Sequence, residues 1–407
     1  MLLTFLCRVF QFFFNFGAYV LPWRRAIRVE GAGCIKEIPK LLKENRGTVP
    51  LVVTDPGLVK AGVASRVTGV LDKAGLAYSL YSEVEANPSV NTVNKIYDLY
   101  RSKGCDCFIA IGGGSSMDAA KAAAARAVRP GKTVNQMGGL FKVMKKLPLF
   151  IAVPTTAGTG SETTVAALIT DTDTHHKYAI MDLCLVPRYA ILDPELTTGL
   201  PPSITATTGM DALTHAVESY ICWACRTAET KAFSLEATKA IFEYLPKVYA
   251  NGADIEARQA MLIASFKAGA AFTRTSVGNV HSIAHTLGGL YNTPHGLANA
   301  VILPIVLEDY GKKAWKKLAR LAEASGAVPA SASTDEEKSK AFIGAIYEMN
   351  RKMGIPNGFD FIKDEDIPQI TRWAFKESNP VYPVPVVYSL ERFGKLVKRI
   401  KAGGGKA

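Results

Sequence analysis

The chain has 407 residues, enough to bury a large core without disulfides and to divide into two domains. Apolar residues make up 48% and charged residues 21%, which excludes a disordered chain, a collagen-like chain and a disulfide-stapled mini-protein. The net charge is +12, but the basic residues are scattered with no aromatic-interleaved stripe, so nucleic acid is not an expected partner.

Residues 1–22 form an apolar N-terminal extension rich in Leu and Phe, interrupted by Arg8, Gln11 and Asn15. No run of 18 uncharged apolar residues occurs, so a membrane span is not predicted. Arg8 sits inside the apolar run and Pro22-Trp23-Arg24-Arg25 follows it, a poor signal peptide and cleavage site. The extension is expected to be a helix docked on the protein's own body or on a second subunit. The sharper alternative is an interfacial helix with Arg24 and Arg25 at lipid headgroups, giving peripheral membrane contact through residues 1–22.

From Val49 the chain alternates strand-like and helical segments. Strands are predicted at Val49–Asp55, Ala77–Tyr81, Asp106–Ile111 and Leu147–Val153, with helices at Leu58–Ala74, Val90–Lys103 and Ser116–Ala127 between them. That order argues a parallel sheet with helices on both faces. Ala166–Ile169 and Tyr178–Met181 read as a further hairpin. After Leu200-Pro-Pro202 strand-like runs nearly vanish and helical patterns take over: Ala206–Tyr220, Ala228–Leu245, Ile255–Ala271 and more. The expected division is therefore a nucleotide-binding α/β domain at 23–200 and an all-helical metal-binding domain at 201–407. Ser325–Ser339 reads as a loop and Ala402–Ala407 as a tail. The seven cysteines are odd in number and irregular in spacing, which fits a reducing, cytoplasmic setting. Cys222-x-x-Cys225 has no second pair to complete a thiolate site and is read as coincidence.

Four of the six histidines lie in the helical half, in two tight groups. Asp211 and His215 are four apart, so one helix face presents a carboxylate and an imidazole together. His281 and His285 repeat the spacing and are followed by Pro294-His295-Gly296. One Asp with several imidazoles and no thiolate suits a divalent metal such as iron or zinc, which acts as a Lewis acid on an oxygen. His175 and His176 lie in a polar turn and are expected to be exposed. In the first half, Gly112-Gly-Gly-Ser115 joins a strand to a helix, a place where backbone N–H groups meet a phosphate. Thr155, Thr156 and Thr159 add hydroxyls at the next strand end. Asp55 ends the first strand, where an acidic residue can bind ribose hydroxyls or simply cap a helix. Hydride transfer involving a metal-polarised carbonyl fits both halves, and a metal-dependent lyase or phosphohydrolase would fit the same chemistry.

At these residues the sequence resembles the iron-containing (group III) alcohol dehydrogenase family, from about Ile27 to the C-terminal region. Four motifs carry the likeness: Gly112-Gly-Gly-Ser115 with Asp118 and Lys121, Pro154 to Glu162, Gly209 to Ala216, and His281-x-x-x-His285 leading to Pro294-His295-Gly296. The resemblance implies an α/β Rossmann-like N-terminal domain with a parallel sheet, an all-α C-terminal domain (the dehydroquinate synthase-like fold) and a cleft between them. It implies Asp211, His215, His281 and His295 as ligands of Fe2+ or Zn2+. It implies His285 as the histidine assisting proton movement. Gly113, Gly114, Ser115, Asp118, Thr155, Thr156, Thr159 and Lys177 match cofactor contacts, and Asp55 matches an acidic position that favours NAD over NADP. The implied activity is reversible reduction of a small aldehyde to a primary alcohol by NADH, in a homodimer or larger homo-oligomer. The alternatives on the same fold are a zinc-dependent polyol dehydrogenase and a dehydroquinate-synthase-like lyase.

Overall fold

The computed structural model describes residues 2–171 and 177–403. His175, His176 and most of the expected C-terminal tail lie outside the described residues. The chain forms two compact units. One comprises Pro22–Leu200 and Gly252–Phe266; the other takes the N-terminal segment to Leu21, Pro201–Asn251 and the described chain from Lys267 onward.

The first unit holds a six-stranded, all-parallel sheet in the order β1-β9-β6-β4-β2-β3. Its strands are β1 (Ile27–Glu30), β2 (Pro50–Val53), β3 (Ser79–Tyr81), β4 (Cys107–Gly112), β6 (Leu149–Pro154) and β9 (Tyr189–Leu192). A smaller sheet pairs β5 (Gly139–Leu140), β8 (Lys177–Met181) and β7 (Ala166–Thr170), with β7 and β8 antiparallel as the hairpin pattern predicts. The central strands read as continuous apolar runs because both faces are covered. Alternate residues sort between two cores. Val53, Phe108, Ala110 and Phe150 pack with α5 (Val90–Ser102) and α6 (Gly114–Val128). Val52, Ile109, Ile111 and Ile151 pack with α2 (Ile38–Glu44) and α4 (Val63–Lys73). The single helix expected over Leu58–Ala74 is two, α3 (Pro56–Lys60) and α4, broken at Gly62, whose φ of 74° ends a helical run.

The chain runs outward from β2 to β3, and from β4 in the opposite direction to β6. The carboxyl ends of β2 and β4 therefore flank a topological switch point, the place where open α/β sheets bind ligands. Residues 252–266 join this unit although they belong to the helical half by composition. Leu262 and Phe266 fill an apolar cluster with Ala26, Val186, Ala190 and Leu192, and Gln259 accepts the Gly31 N–H at 3.0 Å.

The second unit is helical: α1 (Leu2–Val20), α7 (Pro202–Ile221), α8 (Ala228–Ala250), the end of α9 (Ile255–Thr275), α10 (Asn279–Tyr291), α11 (His295–Tyr310), α12 (Trp315–Ser325), α13 (Asp335–Lys352), α14 (Ile367–Ser378) and α15 (Leu390–Lys401). Helix α7 packs on α8 and α11, and α10 on α11 and α14. The expected loop over Ser325–Ser339 is shorter than its composition suggests. Thr334 and Glu337 form a capping box that starts α13 at Asp335.

Helix α1 is docked on the protein's own body, the first of the two arrangements expected for the extension. At 19 residues and a mean hydropathy of 1.3 it is long and apolar enough to cross a membrane by length and composition, which the interrupting polar residues argue against in the sequence. Those polar residues face the protein. Arg8 donates to the Val384 and Pro385 carbonyls, and Gln11 donates to those of Pro380 and Tyr382 while accepting from the Trp223 indole. Asn15 accepts the Cys225 N–H. All seven cysteines are free thiols.

Candidate functional site

The carboxylate and three of the imidazoles converge in the helical unit. Asp211 and His215 share one face of α7, His281 stands in the first turn of α10, and His295 opens α11. One ligand atom from each lies within 4.8 Å of every other, and Asp211, His215 and His281 are buried. Asp211 Oδ1 is 3.5 Å from His295 Nε2 and 4.0 Å from His281 Nε2. The His215 ring is stacked between Phe272 and His281, with centroids at 4.1 and 4.6 Å. Gly296 makes the approach of α11 to α7 feasible: a Cβ there would stand 2.4 Å from the Thr207 carbonyl oxygen.

The donor set fits a divalent cation. Asn299 Nδ2 stands 2.6 Å from Asp211 Oδ1, 3.2 Å from His281 Nε2 and 3.1 Å from His295 Nε2. One amide NH2 has two protons for those three acceptors, so negative and lone-pair density converges here faster than protein donors can satisfy it. Burial, joined by the neighbouring His215, His295 and His285, drives the His281 pKa well below its usual value, which keeps the ring neutral as a ligand must be.

Three residues of this site have no place in the sequence reading. Glu218 Oε2 is 2.6 Å from His281 Nδ1 and accepts the Gly278 N–H, while Oε1 accepts the Val280 N–H, both at 2.8 Å. With both oxygens already accepting from backbone, the short contact is a donation from Nδ1, which leaves Nε2 as the acceptor. Burial pushes the Glu218 pKa upward, and the Gly278, Val280 and His281 donors pull it back toward the carboxylate; a cation on His281 would favour the ionised form further. Its position follows Asp211 and His215 at i+7 and i+3 on the same helix face, a signal the spacing carries. Asn299 lies four residues after His295 and carries the same kind of signal. The third, Glu377, comes from α14 and is distant in sequence; its Oε1 is 2.6 Å from His285 Nδ1 and accepts the Tyr382 hydroxyl at 2.8 Å. His285 stacks on His295 at 5.1 Å and is partly exposed.

In the sheet unit, the Gly-rich turn sits at the switch point. Gly112 has φ 148°, and a Cβ on it would stand 2.6 Å from Ser116 Oγ. Gly113 caps α6, Ser115 is in its first turn, and the turn lies against the β6 loop: a Cβ at Gly113 would meet Thr156 Oγ1 at 3.3 Å, and one at Gly114 would meet Thr159 Cγ2 at 3.2 Å. Thr155 is buried, and its N–H donates to the Gly112 carbonyl. This turn could hold an anionic group at the α6 N-terminus.

Asp55, Asp118 and Lys177 already have protein partners. Asp55 caps α3 by accepting the Leu58 N–H at 3.0 Å, and its other oxygen is 3.4 Å from Ser116 Oγ. Asp118 is buried and accepts from Ser161 Oγ and the Leu168 N–H, so it holds the β6–β7 segment in place. Lys177 is exposed, with Nζ 2.9 Å from Asn87 Oδ1. Lys121, quoted with the first motif, is fully buried, and its ammonium donates to the carbonyls of Ser161, Thr164 and Ala166. Burial lowers the Lys121 pKa to about 8, with Asp118 and Glu162 opposing, and raises Glu162 to about 7. The second motif thus has its loop built around a buried cation.

Comparison with known proteins agrees with this arrangement. Residues 27–194 match the family model for iron-containing alcohol dehydrogenase, and residues 205–399 match that for the C-terminal part of the Fe-containing alcohol dehydrogenase family. The NAD-dependent methanol dehydrogenase of Bacillus methanolicus is 38% identical over 358 residues, covering 86% of this chain and 93% of that protein. The lactaldehyde reductase of Escherichia coli K12 is 35% identical over 353 residues, covering 85% and 91%. A crystal structure of a 1,3-propanediol oxidoreductase superposes with a TM-score of 0.89 at 32% identity, covering 94% of this chain and 100% of that one. The two matched segments together span most of the sequence, and the chain belongs to the iron-containing alcohol dehydrogenase family.

Proposed function

We propose that the protein is a metal-dependent, NAD(H)-linked alcohol dehydrogenase that interconverts a small aldehyde and its primary alcohol. The reaction balances as aldehyde, NADH and a proton to alcohol and NAD+. The observation that carries this reading is the convergence of Asp211, His215, His281 and His295 on one point in a chain of this family. Similarity to a methanol dehydrogenase, a lactaldehyde reductase and a propanediol oxidoreductase supports small alcohols and aldehydes as substrates. When bound, the divalent metal (Fe2+ first, Zn2+ second) supplies Lewis acidity to the carbonyl oxygen, and NADH supplies the hydride.

The chain's own residues divide the remaining work. Asp211, His215, His281 and His295 hold the cation, and Glu218 and Asn299 orient those ligands. His285, anchored at Nδ1 by Glu377, moves the proton to the nascent alcohol. Gly113, Gly114, Ser115, Thr155, Thr156 and Thr159 receive the cofactor at the switch point, with Lys177 reaching its ribose. Asp55 disfavours a 2′-phosphate and so prefers NAD. Asp118, which also holds the β6–β7 segment, joins these cofactor contacts on the nicotinamide side. We further infer a homodimer or larger assembly and a cytoplasmic setting, consistent with seven free thiols. The test is His281→Ala, which should lose bound metal and aldehyde reduction together. Wild-type metal content and turnover in that variant would sink the assignment.

A further inference from the structure

Helix α1 has its polarity reversed relative to a surface helix of a soluble domain. Cys7, Arg8, Gln11, Asn15 and Ala18 fall within an arc of about 100° and face the protein, where their polar atoms are hydrogen-bonded. The opposite side carries the large apolar residues. Leu2, Phe5, Phe12, Phe13, Phe16 and Val20 are each between 60% and 72% exposed, and the exposed apolar arc from Tyr19 round to Phe14 covers about 220° at 3.6 residues per turn. Its area is on the order of 1,000 Å2 at about 150–250 Å2 for a whole aromatic side chain. The largest apolar patch on an ordinary monomer is about 300–600 Å2.

We propose that α1 is a membrane-interface helix that seats this unit on an anionic lipid surface. Three observations select lipid over a second copy of the chain. A rigid partner face covers a helix stripe of about 100° and would leave half of this arc wet, whereas fluid acyl chains close around all of it. The polar side is held by the protein body, so α1 lies along the interface with its outer face among the acyl chains and does not cross. The border of the patch is cationic. The cation is Arg274, whose guanidinium stands 5.6 Å over the Tyr19 ring, while the Tyr19 hydroxyl is tied to the Arg226 backbone carbonyl. The chain has no acidic residue before Glu30, and none in the loop 379–388 that holds α1; Glu229, at the start of α8, is the nearest acid in sequence to Arg226.

The experiment is co-sedimentation of the purified full chain, its intact mass first checked to include residues 2–20, with sucrose-loaded vesicles. One set is phosphatidylcholine alone and the other phosphatidylcholine with phosphatidylglycerol. The wild type should pellet with the mixed vesicles and less with the neutral ones, and the bound fraction should fall with added salt. The triple variant Phe12→Glu, Phe13→Glu, Phe16→Glu alters only outward side chains. It should keep its circular dichroism and aldehyde reduction while its lipid partition falls by about tenfold or more. Wild-type protein that stays in the supernatant, a mature chain lacking α1, or equal binding by the triple variant would overturn the proposal. So would a wild-type oligomer, seen by mass photometry, that the triple variant breaks apart without either protein binding vesicles; that result assigns the face to a second copy.

Discussion

Replacing Glu218 by Gln changes one oxygen for an NH2 in the buried support of His281. The two carboxylate oxygens accept three N–H groups between them: Gly278 N and His281 Nδ1 on Oε2, Val280 N on Oε1. The less costly Gln orientation keeps its oxygen on the Oε2 side and sets its NH2 against the Val280 N–H. One buried donor is then unsatisfied, at a cost of about 1–3 kcal/mol. His281 Nδ1 keeps an acceptor, but a neutral one, and a bond to a neutral oxygen is roughly half as strong as one to a carboxylate. Loss of a carboxylate behind a metal-binding histidine typically weakens metal affinity by about 10–100-fold, or about 1.4–2.7 kcal/mol. Metal affinity is read by titrating metal-loaded protein against a competing chelator, with far-UV circular dichroism and the thermal midpoint as checks on folding. A folded Glu218→Gln variant with wild-type metal affinity would refute the claim that this carboxylate sets the His281 ring for a cation.

Two further outcomes follow from the sheet unit. Burial raises Glu162 from 4.5 to about 7, so the folded chain retains a proton that the unfolded chain releases across that range. This contribution to stability is full below about pH 4.5 and is lost as pH rises through about 7. Glu162→Gln keeps a neutral side chain at every pH, so its thermal midpoint should gain on the wild type from pH 5 to pH 8; a pH-independent difference would contradict this. Asp55→Ser keeps a cap for α3, because serine also accepts the Leu58 N–H, but removes the negative charge. The ratio of kcat/KM for NADPH to that for NADH should rise about tenfold, as expected from relieving about 1–2 kcal/mol of like-charge repulsion. An unchanged ratio would remove Asp55 from cofactor selection.

The central strands and the chemistry-bearing motifs were readable from residues because each obeys a short-range rule. A short apolar run ending in a polar turn marks β2, and continuous apolar runs ending in glycine or proline mark β4 and β6. The i, i+4 spacing put Asp211 beside His215 on α7. Where the outcome depended on distant partners, the sequence was silent. β1 and β9 are four-residue strands at one side of the sheet, defined by their pairing with each other and, for β9, with β6. Glu377 reaches His285 from 92 residues away. Residues 252–266 read as part of the helical half, yet they belong to the sheet unit because Leu262 and Phe266 complete an apolar cluster there. Arg8, Gln11 and Asn15 looked like interruptions in an apolar segment. They are the groups that pin α1, and their pairing with the 380–385 carbonyls and Trp223 turned the apolar side outward.

Metal-dependent hydride exchange with a small aldehyde is the activity on which every residue role above depends. The most direct measurement is NADH absorbance against a panel of small aldehydes, with enzyme purified without oxygen and assayed first as metal-free protein, then with Fe2+, then with Zn2+. No oxidation is expected without metal, and aldehyde-dependent oxidation once it is restored, with Fe2+ most effective. Nucleotide binding with no NADH oxidation under either metal would contradict it and favour a lyase that uses the cofactor only transiently.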